Sequence, residues 1–390
     1  MDADVIVVGA GLWGSACARH LSEMGLSTVL VGPDEPRDAS SHTGVFSSHY
    51  DEARITRRLA SDRDWSRLAQ ASMARYADME ARSGHKFHAP VGALMVGAKG
   101  GVGAGFVANT REVAQQEDFA FQELEGPQLD ARFPFLSFPG NTHALYEEDG
   151  GGWINPRQHI LAEIAIAKQH GAKLHRSEVV RLSEVGGTVT AQCADGEEVT
   201  AKKAVVACGA FSKAAELLPE AVPLTAYART IAFLEIDPAE ARRLQAMPSF
   251  VYVPPGTERD TYVLPPVTYP DGKTYLKIGG DPEDHELVTV ADMKTWFRGG
   301  GNARVGELLA DQLKGLMPDL RVESVSHGAC VTCFTPKGAP LIYPQSERIF
   351  ALTGGNGAGA KCADEIGRLG ALMVAGHELA SGPYASDFTP

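Results

Sequence analysis

Val5-Ile6-Val7-Val8-Gly9-Ala10-Gly11-Leu12-Trp13-Gly14 decides the fold. Four consecutive β-branched apolar residues mark a strand buried on both faces of a parallel sheet. The run meets glycine at once, and a helical stretch then carries through His20 and Leu21 to a stop at Gly25. Thr28-Val29-Leu30-Val31 is a second apolar run. Strand, glycine turn, helix and strand in this spacing form a dinucleotide-binding unit. Gly9 permits the tight turn, Gly11 lets a pyrophosphate approach the backbone, and Gly14 packs the helix on the sheet. An acidic residue usually ends the second strand and takes the ribose hydroxyls, but here Gly32 stands in that place. Asp34, or Glu35 after it, is the nearest substitute.

Length and composition set the bounds around this unit. A chain of 390 residues, 44% of them apolar, is long enough for two domains or one enlarged α/β domain. Its 42 glycines exceed the usual share and point to tight turns or backbone lying close to something bound. A formal charge of −13 with no extended basic run argues against nucleic acid and anionic membranes as partners. No apolar run is long enough to span a bilayer, and the N-terminus lacks the basic start of a secretory signal. Six scattered cysteines suit a reducing compartment, so the expected location is cytoplasmic. No metal site is expected.

Further along, Asp51 to Gly84 reads as helical. Trp65, Leu68, Ala69, Ser72, Met73, Tyr76 and Met79 fall at spacings of three and four on a core-facing stripe. Short strands, turns and prolines between Phe87 and Tyr146 mark the first insertion of a second domain. Gly100 to Gly105 imitates the first glycine motif but lacks its strand and helix, and reads as a connecting loop. Asn155-Pro156 caps a helix that runs through His170. Strands follow near Lys173–Arg181, Thr188–Cys193 and Glu198–Ala207, the last meeting Gly209, where backbone lies near a bound group. Residues 211–323 are again strand-rich, with a flexible loop at 299–301 just before a helix starting near Asn302. Ile349–Thr353, a glycine loop and a helix from about Cys362 to Gly376 close the chain. The organisation expected is an α/β fold with a Rossmann-like parallel-sheet domain (1–85, 150–215, 325–390) and an inserted, mostly antiparallel substrate domain (86–149, 216–324).

Four stretches in register resemble the sarcosine-oxidase-like branch of the D-amino-acid-oxidase flavoprotein superfamily. They are Gly9–Val31, Ser48-His49-Tyr50-Asp51-Glu52-Ala53-Arg54-Ile55-Thr56-Arg57, Tyr275-Leu276-Lys277-Ile278-Gly279-Gly280, and Cys330-Val331-Thr332-Cys333-Phe334-Thr335-Pro336 followed by the loop Gly354 to Lys361. The resemblance implies FAD. It matches Cys330 to a cysteine that carries the flavin covalently, with Cys333 the lesser alternative. Read by itself, Cys330-x-x-Cys333 lacks the further pair that zinc needs and sits in extended chain unlike a thioredoxin-type motif. A structural thiol is the remaining alternative. Lys277 matches a lysine that faces the flavin and promotes its reaction with oxygen, as a buried cation stabilises superoxide. The bland alternative is a surface lysine like Lys273.

The same resemblance assigns Arg54 to the flavin ring, with Ser48 and His49 beside the cofactor. Arg57 and Lys361 match the pair that grips the substrate carboxylate, for which arginine offers a planar fork. Alternatively, Arg54, Arg57 and Arg58 form a solvated basic edge. Gly355, Gly357 and Gly359 bring backbone amides to the pyrimidine edge, where reduction places negative charge. Tyr262 resembles a pocket tyrosine. Two departures concern the substrate: Asp281 stands in the register of a family histidine, and Thr332 replaces a tyrosine. They imply a wider, more acidic pocket and a substrate larger than sarcosine, with a second basic group facing Asp281. The implied reaction is oxidation of the C–N bond of a secondary amine, an N-substituted (N-methyl or larger) amino acid, by a monomer that reduces O2 to hydrogen peroxide. A dehydrogenase passing electrons to a carrier, a fructosyl amino acid oxidase and a non-enzymatic flavin-binding protein are the alternatives.

Overall fold

The strand Ala3–Val8 lies between Thr28–Val31 and Glu198–Val206 and runs parallel to both. Lys173–His175 extends the parallel array beyond Thr28–Val31, and Ile349–Thr353 extends it beyond Glu198–Val206. The computed structural model describes residues 1–379 and 382–390. Val5, Ile6, Val7 and Val8 are all buried, as a strand covered on both faces requires. The helix Leu12–Glu23 packs on one face together with Ala363–Val374. Gly367 makes that contact possible, since a Cβ there would lie 2.4 Å from the Cβ of Ala16.

Buried charge also fastens these helices. Arg19 pairs with Glu163 at 2.5 Å and with Asp364, and Arg75 reaches Asp364 from the turn before the helix Tyr76–Ser83. His20 meets the same carboxylate at 3.0 Å. Three segments distant in sequence thus meet at the desolvated Asp364 carboxylate, and Arg19 ties in a fourth through Glu163.

A second sheet of eight strands is antiparallel except where Ser249–Tyr252 runs alongside Ala93–Ala98. Its long central strand, Thr225–Ile236, pairs with Thr274–Gly279 on one side and Ser324–Phe334 on the other. The sequence division assigned 325–390 to the first domain. Ser324–Phe334 instead pairs with Thr225–Ile236 over eleven residues of the second sheet, Thr225 to Glu235.

Three other expectations are corrected. Residues 51–62 are not helical: Arg54–Thr56 is a strand paired with Gly152–Ile154. The apolar stripe after it is carried by two helices, Arg63–Met73 and Tyr76–Ser83. The Asp62 carboxylate caps the first by accepting from the Trp65 amide, and left-handed Gly84 ends the second. Between Phe87 and Tyr146 the glycines at 100–103 lead into a thirteen-residue helix, Ala104–Gln116. Its buried Val107, Thr110, Val113 and Ala114 have helical spacing. The strand-rich segment 211–323 likewise holds the helix Val290–Gly299, whereas the helix expected from about Asn302 is present as Ala303–Leu316, capped by Asn302.

Candidate functional site

Gly9 and Gly14 shape the turn between the first strand and its helix. Gly9 has φ +106°, and a Cβ there would lie 2.5 Å from the carbonyl of Ala207. At Gly14 a Cβ would sit 1.8 Å from the Gly9 carbonyl, so helix and turn are in direct contact. Gly11 is different. Its Cβ would meet only Ser47 and His49 side chains at 3.5 and 3.8 Å, and no side chain caps the helix there. The open amides face a cavity of ≈ 380 Å³ lined by both glycine regions.

The cavity runs from this turn past Gly32 and Val180 to Arg54, Cys330 and the loop at 354–359. Asp34 is exposed, does not line it, and pairs with Arg176 at 3.0 Å. Glu35 pairs with Arg157 at 2.6 Å. The ribose role expected of Asp34 therefore gains no support from its placement. Glu178 is the carboxylate lining the cavity among the described residues, and it accepts from the Val45 amide at 3.1 Å. Nothing in its sequence neighbourhood signals that position.

At the other end, Ser48, His49, Gly209, Gly355, Gly357 and Gly359 all line the wall. Burial, with Arg157, Arg176 and Arg54 nearby, pushes His49 down to about 3, so the ring is neutral. Trp13 donates its indole N–H to the Gly359 carbonyl at 2.9 Å. Gly209, at φ +56°, offers its carbonyl to the Thr353 hydroxyl at 2.9 Å. Cys330 stands half-buried in the wall, and its carbonyl accepts from the Trp296 indole at 2.9 Å. Cys333 is deeper, and burial pushes its thiol up. Thr332 also lines the wall, yet its buried hydroxyl finds no protein partner among the described residues. Glycines that admit no Cβ, open helix amides and an orphaned hydroxyl in one elongated cavity fit an FAD molecule.

Lys277 is only 1% exposed, unlike Lys273, which pairs with Glu235 at 2.8 Å. Its Nζ donates to Asp51 and to the Ala53 carbonyl. Burial first, and then the Arg54 charge, hold its pKa well below the lysine range. Arg54 pairs with the same Asp51 carboxylate and donates to the Ser48 carbonyl at 2.7 Å. Tyr269 donates to that carboxylate at 2.7 Å. Tyr262 packs against Gly279, where a Cβ would be 2.4 Å from its Cζ and hydroxyl oxygen. Burial pushes its hydroxyl up to about 12.

Arg57 donates to the Leu59 carbonyl, and Lys361 lies 5.6 Å from the centre of the Trp65 ring. Lys361 is 4% exposed and donates to Cys362 Sγ at 3.5 Å. Burial, reinforced by the Arg57 charge, lowers its pKa. Among the described residues neither cation forms an ion pair with a carboxylate; Arg58, by contrast, is paired with Glu147 at 2.8 Å. Asp281 does not join them. Its two oxygens accept from the Thr230 amide at 2.8 Å and the Glu283 amide at 2.9 Å, closing a turn. Asp51 and Tyr269, central to the cluster, were not singled out by sequence.

The FAD dependent oxidoreductase family model matches residues 4–373. The chain is 30% identical over 386 residues to monomeric sarcosine oxidase of Arthrobacter sp. (strain TE1826), covering 96% of this chain and 93% of that one. It is 24% identical over 378 residues to N-methyl-L-tryptophan oxidase of Yersinia pestis (strain Pestoides F), covering 96% and 95%. Among solved structures, NikD, an amino acid oxidase essential for nikkomycin biosynthesis, superposes with a TM-score of 0.76 at 19% identity. That alignment covers 100% of this chain and 97% of NikD.

Proposed function

The chain belongs to the FAD dependent oxidoreductase family, and on that premise we propose that it oxidises the C–N bond of a secondary amine, an N-substituted amino acid, with O2 as electron acceptor. The observation that carries this reading is the pair Arg57 and Lys361. Both are cations held away from carboxylate partners among the described residues, Lys361 almost fully buried. A buried charge without a partner is costly, and an anionic ligand offsets that cost. A substrate carboxylate gripped there leaves the amine to lie toward the ring end of the cavity. The relatives named for amino-acid substrates, sarcosine and N-methyl-L-tryptophan, support the same class.

Gly9, Gly11 and Gly14 hold the pyrophosphate, Gly355, Gly357 and Gly359 the pyrimidine edge, and Arg54, Ser48 and His49 the ring. When bound, FAD supplies the two-electron acceptor for the amine and the donor for O2. Arg57 and Lys361 orient the substrate, and Tyr262, a neutral phenol, borders it. Lys277 provides positive charge near the ring. Among the described residues the carboxylate in the cavity wall, Glu178, is taken up by the Val45 amide and is assigned no base role; the amine enters unprotonated and the imine product is hydrolysed by water. Asp281 is left with no role, and with it goes the expectation of a second basic group on the substrate.

Cys330, in the wall, is the covalent attachment point in this reading. Residues 1–85, 150–215 and the part of 325–390 after Phe334 form the FAD domain, and the second sheet forms the substrate domain. The protein acts as a monomer in the cytoplasm.

The decisive experiment is anaerobic titration of the yellow protein with N-methyl amino acids, larger N-alkyl amino acids and fructosyl amino acids, followed by air. Bleaching by an N-substituted amino acid and recovery with stoichiometric peroxide is the expected result. Bleaching with negligible recovery makes it a dehydrogenase, and no bleaching by any amine makes it a flavin-binding protein without this activity.

A further inference from the structure

The carboxylate of Asp51 is shared by more donors than any chemistry so far assigned requires. One oxygen accepts from the Glu52 amide at 2.8 Å and from the Tyr269 hydroxyl at 2.7 Å. The other meets both Lys277 and Arg54. Asp51 is 4% exposed, and Lys277 reaches it across 226 positions of sequence, from the second sheet to the segment before Arg54–Thr56. Arg54 lines the flavin cavity, so this one anion joins a cavity-lining cation to a fully buried one.

We propose that Asp51 is a positioning residue for the oxygen step: by bridging Lys277 and Arg54 it keeps Lys277 charged and fixed beside the ring end of the cavity. The inference rests on the flavin oxidase reading above. Two cations facing one another in a desolvated site repel, and the nearer one to neutrality is the lysine, because arginine does not release its proton. The charged groups around Lys277 besides Asp51 are Arg54 and Arg157, which favour the neutral amine, and Glu52, which favours the charged one; Cys330, as a thioether to the flavin, carries no charge. Tyr262 and Tyr269 face the cluster as neutral phenols. Among the described residues, Asp51 alone of the acidic groups touches the ammonium directly. In the oxygen step two electrons and one proton would leave the anionic reduced flavin and a second proton would come from solvent, giving oxidised flavin and H2O2, and Lys277 keeps its proton throughout. Its charge acts only by stabilising negative charge that develops on oxygen.

The test uses holoenzyme reduced by dithionite, so it does not depend on the substrate. Reoxidation by dissolved O2 is followed across pH for wild type, Asp51→Asn and Tyr269→Phe. A charge-dependent rate falls as pH rises through the Lys277 pKa. Asp51→Asn moves that fall to lower pH by about one unit or more, and slows reoxidation about tenfold at the wild-type midpoint. Tyr269→Phe removes a donor from the carboxylate, makes it the more basic, and moves the fall to higher pH. A second readout needs no turnover: carbamylation of Lys277 by cyanate, followed by peptide mass, consumes only neutral amine. It accelerates about tenfold at neutral pH in Asp51→Asn. An Asp51→Asn enzyme with wild-type profile and labelling overturns the proposal. So does a Tyr269→Phe profile that stays put or moves down, and this variant decides the matter if Asp51→Asn loses its flavin. Should no amine bleach the wild-type flavin while these shifts appear, the substrate reading fails and the role of Asp51 stands.

Discussion

Trp13 donates its indole N–H to the carbonyl of Gly359 at 2.9 Å, joining the first turn of the N-terminal helix to a loop 346 residues away. A Cβ on Gly359 would lie 2.8 Å from the Trp13 ring. The bond therefore depends on the missing side chain, and it closes the two glycine walls of the cavity on each other. Gly359→Ala displaces the indole, and purified protein should carry markedly less flavin per chain, read from the ratio of visible to ultraviolet absorbance. Secondary structure by circular dichroism should be retained. Full flavin content in Gly359→Ala would show that the contact is incidental.

Cys330 and Cys333 offer a discriminating comparison. Cys330 is half-buried in the cavity wall, whereas Cys333 is 7% exposed and its thiol is raised by burial. A thiol held neutral by desolvation is a poor nucleophile. After acid precipitation the flavin should stay with the wild-type chain and with Cys333→Ala, and appear in the supernatant of Cys330→Ala. Intact-mass measurement checks the same point without precipitation.

Asp364 anchors stability. Burial opposes its ionisation, but His20, Arg19 and Arg75 outweigh that and hold the carboxyl well below its ordinary range. Because the folded pKa is depressed, the stabilisation is fully present above about pH 4 and is lost as pH falls further. Asp364→Asn leaves buried guanidinium groups short of a partner and should cost about 3–5 kcal/mol. Urea unfolding at pH 7 measures that loss, and the acid-side slope of stability should flatten in the variant.

The nucleotide end was legible in sequence because it is local. Val5 to Val31 holds a strand, three glycines with distinct duties, a helix and a second strand within one βαβ unit. Lys277, Cys330, Arg54 and the glycines of the late loop entered through motif resemblance, and the cavity gathers Arg54, Cys330 and those glycines along one wall. Asp51 was invisible for a physical reason: its partner Lys277 lies 226 residues away, and an aspartate in a polar segment has no periodicity to betray burial. Asp281 misled in the opposite way. Register placed it by the active site, but two backbone amides of its own turn and the neighbouring strand take its oxygens. The helix Ala104–Gln116 was missed because glycine-rich entry residues masked a helical burial pattern.

Arg57 and Lys361 predict how substrate binding responds to pH. Burial, then the Arg57 charge, lower the Lys361 pKa, so its proton is lost at lower pH than the ordinary lysine value of about 10.4. A bound carboxylate favours the charged amine, and by linkage the affinity for an anionic ligand falls as pH rises through that lowered pKa. Arg57 keeps its charge throughout, because even a depressed guanidinium pKa stays far above the working range. Binding of a non-reactive carboxylate, such as acetate or a methylthio acid with sulfur in place of the amine nitrogen, is read from the flavin spectrum. Its Kd should rise on the alkaline side in wild type and lose that dependence in Lys361→Met. Arg57→Gln should weaken binding about 30-fold or more at every pH, in line with the ~2–5 kcal/mol lost when one partner of a buried charge pair is removed. Both substitutions should raise KM more than they lower kcat, since each removes a grip made in the ground state and the transition state alike. An unchanged KM in both variants would place the substrate carboxylate elsewhere in the cavity.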